Sequence, residues 1–202
     1  MARPVLGATS MTRSPLVLVG LLCALVACAP AATKTPAPAE SRSTTLTCDG
    51  DLSAASAELR AQYDAIRQRI EGGPLYKSVV ERAGAPNRCV HAIRGGALRL
   101  TYAFPKRASI DAQIDPRIEL SGERADVSGL AEPDAITLLQ AAEKYAYGAK
   151  GCGIDWQKPE IEAPGTFGSA RETVYRGDVC NCQARILHDG KAIIAVLIRS
   201  AC

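Results

Sequence analysis

Six cysteines, Cys48, Cys89, Cys152, Cys180, Cys182 and Cys202, constrain this chain more than any other feature. The first stands where a Pro/Ala/Thr-rich stretch ends, and the last is the final residue. An even set of cysteines in a small exported domain reads as a disulfide framework, because closing loops in the unfolded chain removes entropy that a modest core must otherwise offset. Three bridges allow fifteen pairings, and the spacing does not choose among them. All six are therefore disulfide candidates, and the cross-linked domain is expected to run over 48–202.

Residues 1–27 supply the condition of export. Arg3 and Arg13 precede an apolar core from Leu16 to Val26, and small residues follow, which is the layout of a secretory signal. The core falls short of the ~20 apolar residues that a spanning helix needs. Met11 offers a second start, since Met11-Thr12-Arg13 is a compact basic start by itself. The run closes on Leu25-Val26-Ala27-Cys28, and this tetrapeptide resembles the bacterial lipobox. The resemblance implies cleavage before Cys28, a diacylglycerol on its thiol and an acyl chain such as palmitate on the new amine. Cys28 is then the lipid-attachment residue of a membrane-anchored lipoprotein; an uncleaved anchor, or a plain signal with Cys28 as an ordinary thiol, are the competing readings. Each buried methylene contributes about 0.8 kcal/mol, so two or three acyl chains hold a protein on a bilayer that a single chain would leave. Ala29 is not Asp, which resembles the lipoproteins that Gram-negative cells forward to the outer membrane. The expected address is the cell envelope, on the periplasmic or surface face of the outer membrane.

Over 28–47 the composition shifts to Pro, Ala, Thr and Ser, as in an extended tether reaching some ~50–60 Å at ~3.1 Å per residue. Loss of the first 27 residues leaves 175, enough for one domain with a core. It also lowers the formal charge from +3 to +1, because two arginines leave and no acid does. A near-neutral chain with interspersed charges excludes a nucleic-acid partner, which needs a basic face. The lipid, not charge, makes the membrane contact.

Within the domain, Leu52, Ala55, Leu59, Tyr63, Ile66 and Ile70 recur at steps of three and four. The pattern predicts a helix over 52–70, N-capped by Asp51 and stopped by Gly72-Gly73-Pro74. A shorter helix is expected over 75–83. The period then becomes two: Cys89, His91 and Ile93 on one strand, and Leu98, Leu100, Tyr102 and Phe104 on the next, joined at Gly95-Gly96. Weaker strand signals fall over 117–120 and 124–127. Pro133 and Gly148 frame a third helix over 133–147. A long loop is expected over 149–168, pinned by Cys152 and by Trp156, the single tryptophan. The clearest strands come last, 179–187 and 192–199 about Asp189-Gly190, with Cys182, Ala184 and Ile186 sharing a core face with Ile193, Ala195 and Leu197. Ile194, Val196 and Ile198 on the other side make the return strand a central one. The expected class is α+β, with helices packed on one side of an antiparallel sheet, braced by disulfides. The order of elements hints at two similar halves, without a sequence repeat.

Candidate chemistry is sparse. Cys180-Asn181-Cys182 invites a redox reading, yet exchange enzymes place two residues between their cysteines at a helix start. On a strand both thiols would point into the core and serve two structural bridges. His91 falls on the apolar face and reads as a core residue; His188 adjoins a turn and reads as solvated. Motifs of serine hydrolases, zinc peptidases and phosphate-binding loops are missing. Asp111, Asp115, Glu119, Glu123 and Asp126, and likewise Glu160 and Glu162, read as solvated surface, since the spacing of a calcium loop is absent. Arg176-Gly177-Asp178 matches an integrin-read tripeptide but abuts a strand, where display at a loop tip is not expected. No metal, cofactor or catalytic residue is assigned.

Val79-Val80-Glu81-Arg82-Ala83-Gly84-Ala85-Pro86, followed by strands ending in Leu100-Thr101-Tyr102-Ala103-Phe104, is similar to the helix, small-Gly-x-Pro, strand pattern of the small SmpA-type lipoproteins of outer-membrane assembly. It covers about a quarter of the chain. This chain departs from that pattern in its length, its six extra cysteines, Ala83 in place of the usual Leu, and its second helix and hairpin. The resemblance implies an envelope binding module and no particular site residue. The expected function is thus a non-catalytic module that binds or helps assemble an envelope protein. The alternatives are an inhibitor of a cell-wall hydrolase, or a periplasmic enzyme, either a hydrolase or a thiol-disulfide oxidoreductase.

Overall fold

Ser56, not Asp51, starts the first helix. Its hydroxyl accepts the Leu59 N–H at 3.1 Å, whereas Asp51 closes a local turn by accepting from the Ser53 N–H and O–H at 2.7 and 2.6 Å. In this computed structural model, which describes residues 46–117, 120–162 and 171–200, the helix expected over 52–70 is two. α1 (Ala57–Ala61) and α2 (Tyr63–Glu71) are separated at Gln62, whose φ of −101° and ψ of 5° leave the helical region. The apolar face continues across the break, so Leu59, Ile66 and Ile70 are still buried together. α3 (Pro74–Ala83) and α4 (Glu132–Tyr147) follow expectation, each with a proline in its first turn.

Among the described residues, nine strands form one sheet, ordered β1-β2-β3-β4-β5-β9-β8-β7-β6. β1 (Cys48–Asp49) joins β2 (Arg88–Arg94) in parallel at one edge, and every other pairing is antiparallel. β2 and β3 (Ala97–Ala103) meet at Gly95-Gly96, where φ values of 57° and 80° meet the left-handed demand of a two-residue hairpin turn. β4 (Ser109–Ile114) and β5 (Leu120–Asp126) replace the strands expected over 117–120 and 124–127. Their inward positions, Ile110, Ala112 and Ala125, include alanines that carry little apolar signal.

The loop expected over 149–168 contains β6 (Glu160–Glu162), and an unexpected strand, β7 (Arg171–Arg176), completes a second meander with β8 (Gln183–Asp189) and β9 (Ala192–Arg199). β8 starts four residues later than expected, because Cys180 and Asn181 take left-handed φ values of 56° and 49° in a turn. Cys180 and Cys182 therefore do not share a strand face. A bulge at Leu187/His188 leaves Ile194 without a partner, so Val196 and Ile198, not Ala195 and Leu197, join Ile193, Ala184 and Ile186 in the main core. β9 is central and covered on both faces, as its pattern indicated.

The chain is α+β. α3 lies beside α4, against β4 and β5, while α4 covers β9. α3 with β2–β5 and α4 with β6–β9 are two units of like order, joined through their last strands, β5 and β9, in antiparallel register. Two bridges join pairs of described residues. Cys48–Cys89 ties the edge strand to β2, and Cys152–Cys182 ties the loop after α4 to the entry of β8. Cys180 is also disulfide-bonded, whereas Cys28, Glu119 and Cys202 lie outside the described residues.

Candidate functional site

Antiparallel register decides which side chains share the sheet face turned away from the helices. One row across it reads Arg99, Gln113, Gly122, Arg199, Gln183 and Arg176, on β3, β4, β5, β9, β8 and β7 in turn. The next reads Thr101, Asp111, Arg124, Leu197, Arg185 and Val174. Gly122 occupies the seam between the halves, and around it the face forms a concavity of about 980 Å³. A Cβ built on Gly122 would meet Arg199 Cβ at 3.5 Å and Ile198 O at 3.7 Å, which is ordinary contact. The missing side chain is thus a gap on the floor and not a requirement of the backbone.

The lining is mostly polar, and several of its side chains are bonded to neighbours on the same sheet face. Thr101 Oγ1 donates to Asp111 Oδ1 at 2.6 Å. Arg124 forks onto Asp126 Oδ1 through Nε and Nη2, both at 3.1 Å, and Ser109 Oγ donates to the other Asp126 oxygen at 2.7 Å. Gln183 Oε1 accepts from Arg185 Nη2 at 2.9 Å and from Arg199 Nη2 at 3.1 Å. Arg185 Nη1 also donates to Glu172, and both side chains are buried. Arg99 is exposed and donates no hydrogen bond among the described residues. Such a face can hold a polar or charged ligand with fixed geometry. Neither histidine reaches it.

Several residues singled out from the sequence lie elsewhere. His91 is a core residue as expected, its Nδ1 2.9 Å from Tyr63 Oη. His188 is not solvated: it is 3% exposed, with Nε2 3.2 Å from Thr173 Oγ1, and burial, then Arg171, pull its pKa down. Its place beside a turn misled: it follows Ala184 and Ile186 at steps of two on the inward side of β8, opposite Ile193. Asp111, Asp115 and Asp126 are partly exposed and Glu160 is exposed, bonded to Arg176 at 2.7 Å. The side chain of Glu162 lies outside the described residues.

Glu123 contradicts the solvated reading outright. It sits on the helix-facing side of β5, 3% exposed, with Oε1 unpartnered, and burial pushes its pKa up to about 8. Glu143 of α4, unnoticed in the sequence, is a buried clasp: Oε1 accepts the Cys152 N–H at 2.9 Å and Oε2 accepts Trp156 Nε1–H at 3.0 Å. Arg176-Gly177-Asp178 is not a displayed tip, since a Cβ on Gly177 would lie 2.7 Å from Cys152 O.

No known protein family, curated protein or solved structure matches this chain. Among the described residues, no group of three or more His, Cys, Asp or Glu could hold a metal ion, and no helix is long and apolar enough to cross a membrane.

Proposed function

We propose that this chain is a cell-envelope lipoprotein, anchored in the outer membrane through Cys28. Its disulfide-braced domain is a non-catalytic module that binds or helps assemble another envelope protein. The observation that carries the reading is the concavity at the seam, a polar recess on a sheet face opposite the helices. Its floor belongs to strands of both halves, so its shape is set by the whole sheet and little order is lost on binding. The lipobox and the tether support the address. The SmpA-like pattern supports the same setting.

The enzyme readings fare unequally. Cys182 is bonded to Cys152, so Cys180 and Cys182 offer no dithiol for exchange. A hydrolase is the second reading, because Asp111 and Asp115 both line the concavity. Acid catalysis needs a carboxyl raised toward neutrality; among the described residues the one so raised is Glu123, which belongs to the lining but whose side chain is buried on the helix-facing side of β5. A hydrolase inhibitor would use the same recess.

The test uses the full chain in a bacterial envelope. Cys28→Ser should abolish palmitate labelling and release the protein from membranes. Gly122→Leu should fill the recess, keep the thermal midpoint within a few degrees, and abolish cross-linking to the envelope protein captured by the parent chain. A labelled Cys28→Ser chain contradicts the anchor. Undiminished capture by Gly122→Leu contradicts the surface.

A further inference from the structure

We propose that Cys180 and Cys202 form a third disulfide, which fastens the segment leaving β9 to the turn before β8 and fixes part of the rim of the seam recess. Cys180 is disulfide-bonded, and Cys48–Cys89 and Cys152–Cys182 occupy four of the other seven cysteines. Cys23, Cys28 and Cys202 remain. The lipoprotein reading assigns Cys28 to the lipid and Cys23 to the cleaved signal, and the register of the sheet favours Cys202 independently of it. β1, which follows Cys23 and Cys28 in the chain, lies six strand spacings from β8, or ~29 Å at about 4.8 Å each. A bridge from Cys28 to Cys180 would also close a separation of 152 residues instead of 22, and the shorter loop loses less entropy on closing.

From Leu187↔Ala195 to Gln183↔Arg199 the register of β8 and β9 is constant. Carried three residues past that last pair, it sets Cys202 across from Cys180. β9 does run on: the Ser200 N–H donates to Ser121 O at 3.0 Å, one step beyond Gly122↔Arg199. On the other side a tight turn, closed by the Cys182 N–H donating to Val179 O at 3.0 Å, keeps Cys180 beside Cys182. Cys180 holds a left-handed φ of 56° there, a region that cysteine disfavours, and such an outlier points to a task for its side chain. Both segments thus leave one rung in the same direction, and the Cα separation of a disulfide, ~4.4–6.8 Å, matches the spacing of paired strands. Asn181 and Ser200 line the recess. One lies between two bonded cysteines and the other two residues before Cys202, so the bridge preorganises both for a ligand. As the Sγ–Sγ bond forms, the two thiols lose two protons and two electrons, which a disulfide-bearing oxidase of the exporting compartment accepts by exchange, leaving as a dithiol.

The experiment is peptide mapping of the full chain, purified from a bacterial envelope in neutral detergent, its free thiols alkylated and the chain cut with trypsin without reduction. The peptide over 177–185 should be linked both to the peptide that holds Cys152 and to the one that starts at Ser200, and fragmentation between Cys180 and Cys182 should assign the second link to Cys180. An alkylated Cys202, or a link from Cys180 to Cys28 or Cys23, would overturn the bridge. The same map keeps the anchor separate: an acylated Cys28 with an alkylated Cys202 removes the bridge and leaves the anchor, whereas an unacylated Cys28 with Cys180 linked to Cys202 removes the anchor and supports the bridge. Cys180→Ser, Cys202→Ser and the double variant should lower the thermal midpoint by one and the same amount, roughly 5–10 °C. Additive losses would contradict a shared bond.

Discussion

On β3, in the first half of the sheet, Leu98, Leu100 and Tyr102 are buried against the helices while Ala97, Arg99 and Thr101 stay at least partly open. On β8, in the second half, Ala184 and Ile186 are buried inward, and Arg185 and Leu187 are buried on the other side too. The two halves share an order of elements and an apolar inner face, and they part company on the outer one. Leu187, Ala195 and Leu197 form a small second cluster there, next to the buried pair of Arg185 and Glu172. The first half instead presents Thr101, Asp111 and the Arg124–Asp126 pair to solvent. One half is thus largely buried on both faces and the other open on its outer face, and the recess lies where they join.

Removing one ion from each half should break the comparison most sharply. Glu172→Ala leaves the Arg185 charge buried and should destabilise the fold by ~3–5 kcal/mol. Asp126→Ala, which removes one partner of the partly exposed Arg124, should cost about 1 kcal/mol or less in the same thermal melts. Equal losses would mean that the two outer faces are not different environments. A truncation pair follows: Leu187→Ala should cost ~2–4 kcal/mol by leaving a cavity, and Thr101→Ala on the open face about 1 kcal/mol or less.

Glu123 sharpens the contrast between inner and outer acids. Its folded-state pKa lies above its unfolded value of 4.5, at about 8. The folded state therefore holds a proton that the unfolded state gives up, and stability falls as pH rises between those two values. Glu123→Gln should raise stability by ~2–4 kcal/mol at alkaline pH and by much less at acid pH. A pH-independent difference in urea melts would show that the carboxyl is not desolvated. His188 should give the smallest effect, with the opposite sign. Its folded pKa is depressed, so stability is complete above the ordinary histidine range and falls as pH drops through it. His188→Gln should flatten that acid-side loss.

The same contrast explains what could be read in the chain. β2 and β3 were legible residue by residue, because one face is wet and period two survives in the letters. β7 was missed, since Glu172, Thr173, Val174 and Tyr175 are all buried and a strand covered on both sides need not alternate. The β9 face was half wrong for one reason, the unpaired Ile194, since a bulge reverses every later side chain and leaves no mark in composition. Glu123 had a signal that was passed over: it stands at steps of two from Ala125 and Val127, both buried. The recess had none, because its lining comes from β3, β4, β5, β9 and the entry of β8, and the two groups of strands meet only through the pairing of β5 with β9.

The most direct test places a photo-cross-linking residue in the full chain, in its native envelope, at Gln113 in the recess, at Leu187 on the closed outer face, and at Ser78 on α3. The account predicts one defined protein adduct from Gln113, lost with Gly122→Leu, and no such adduct from Leu187 or Ser78. The same adduct from Ser78, or its persistence in Gly122→Leu, would contradict the assignment of the open outer face as the surface that meets a partner.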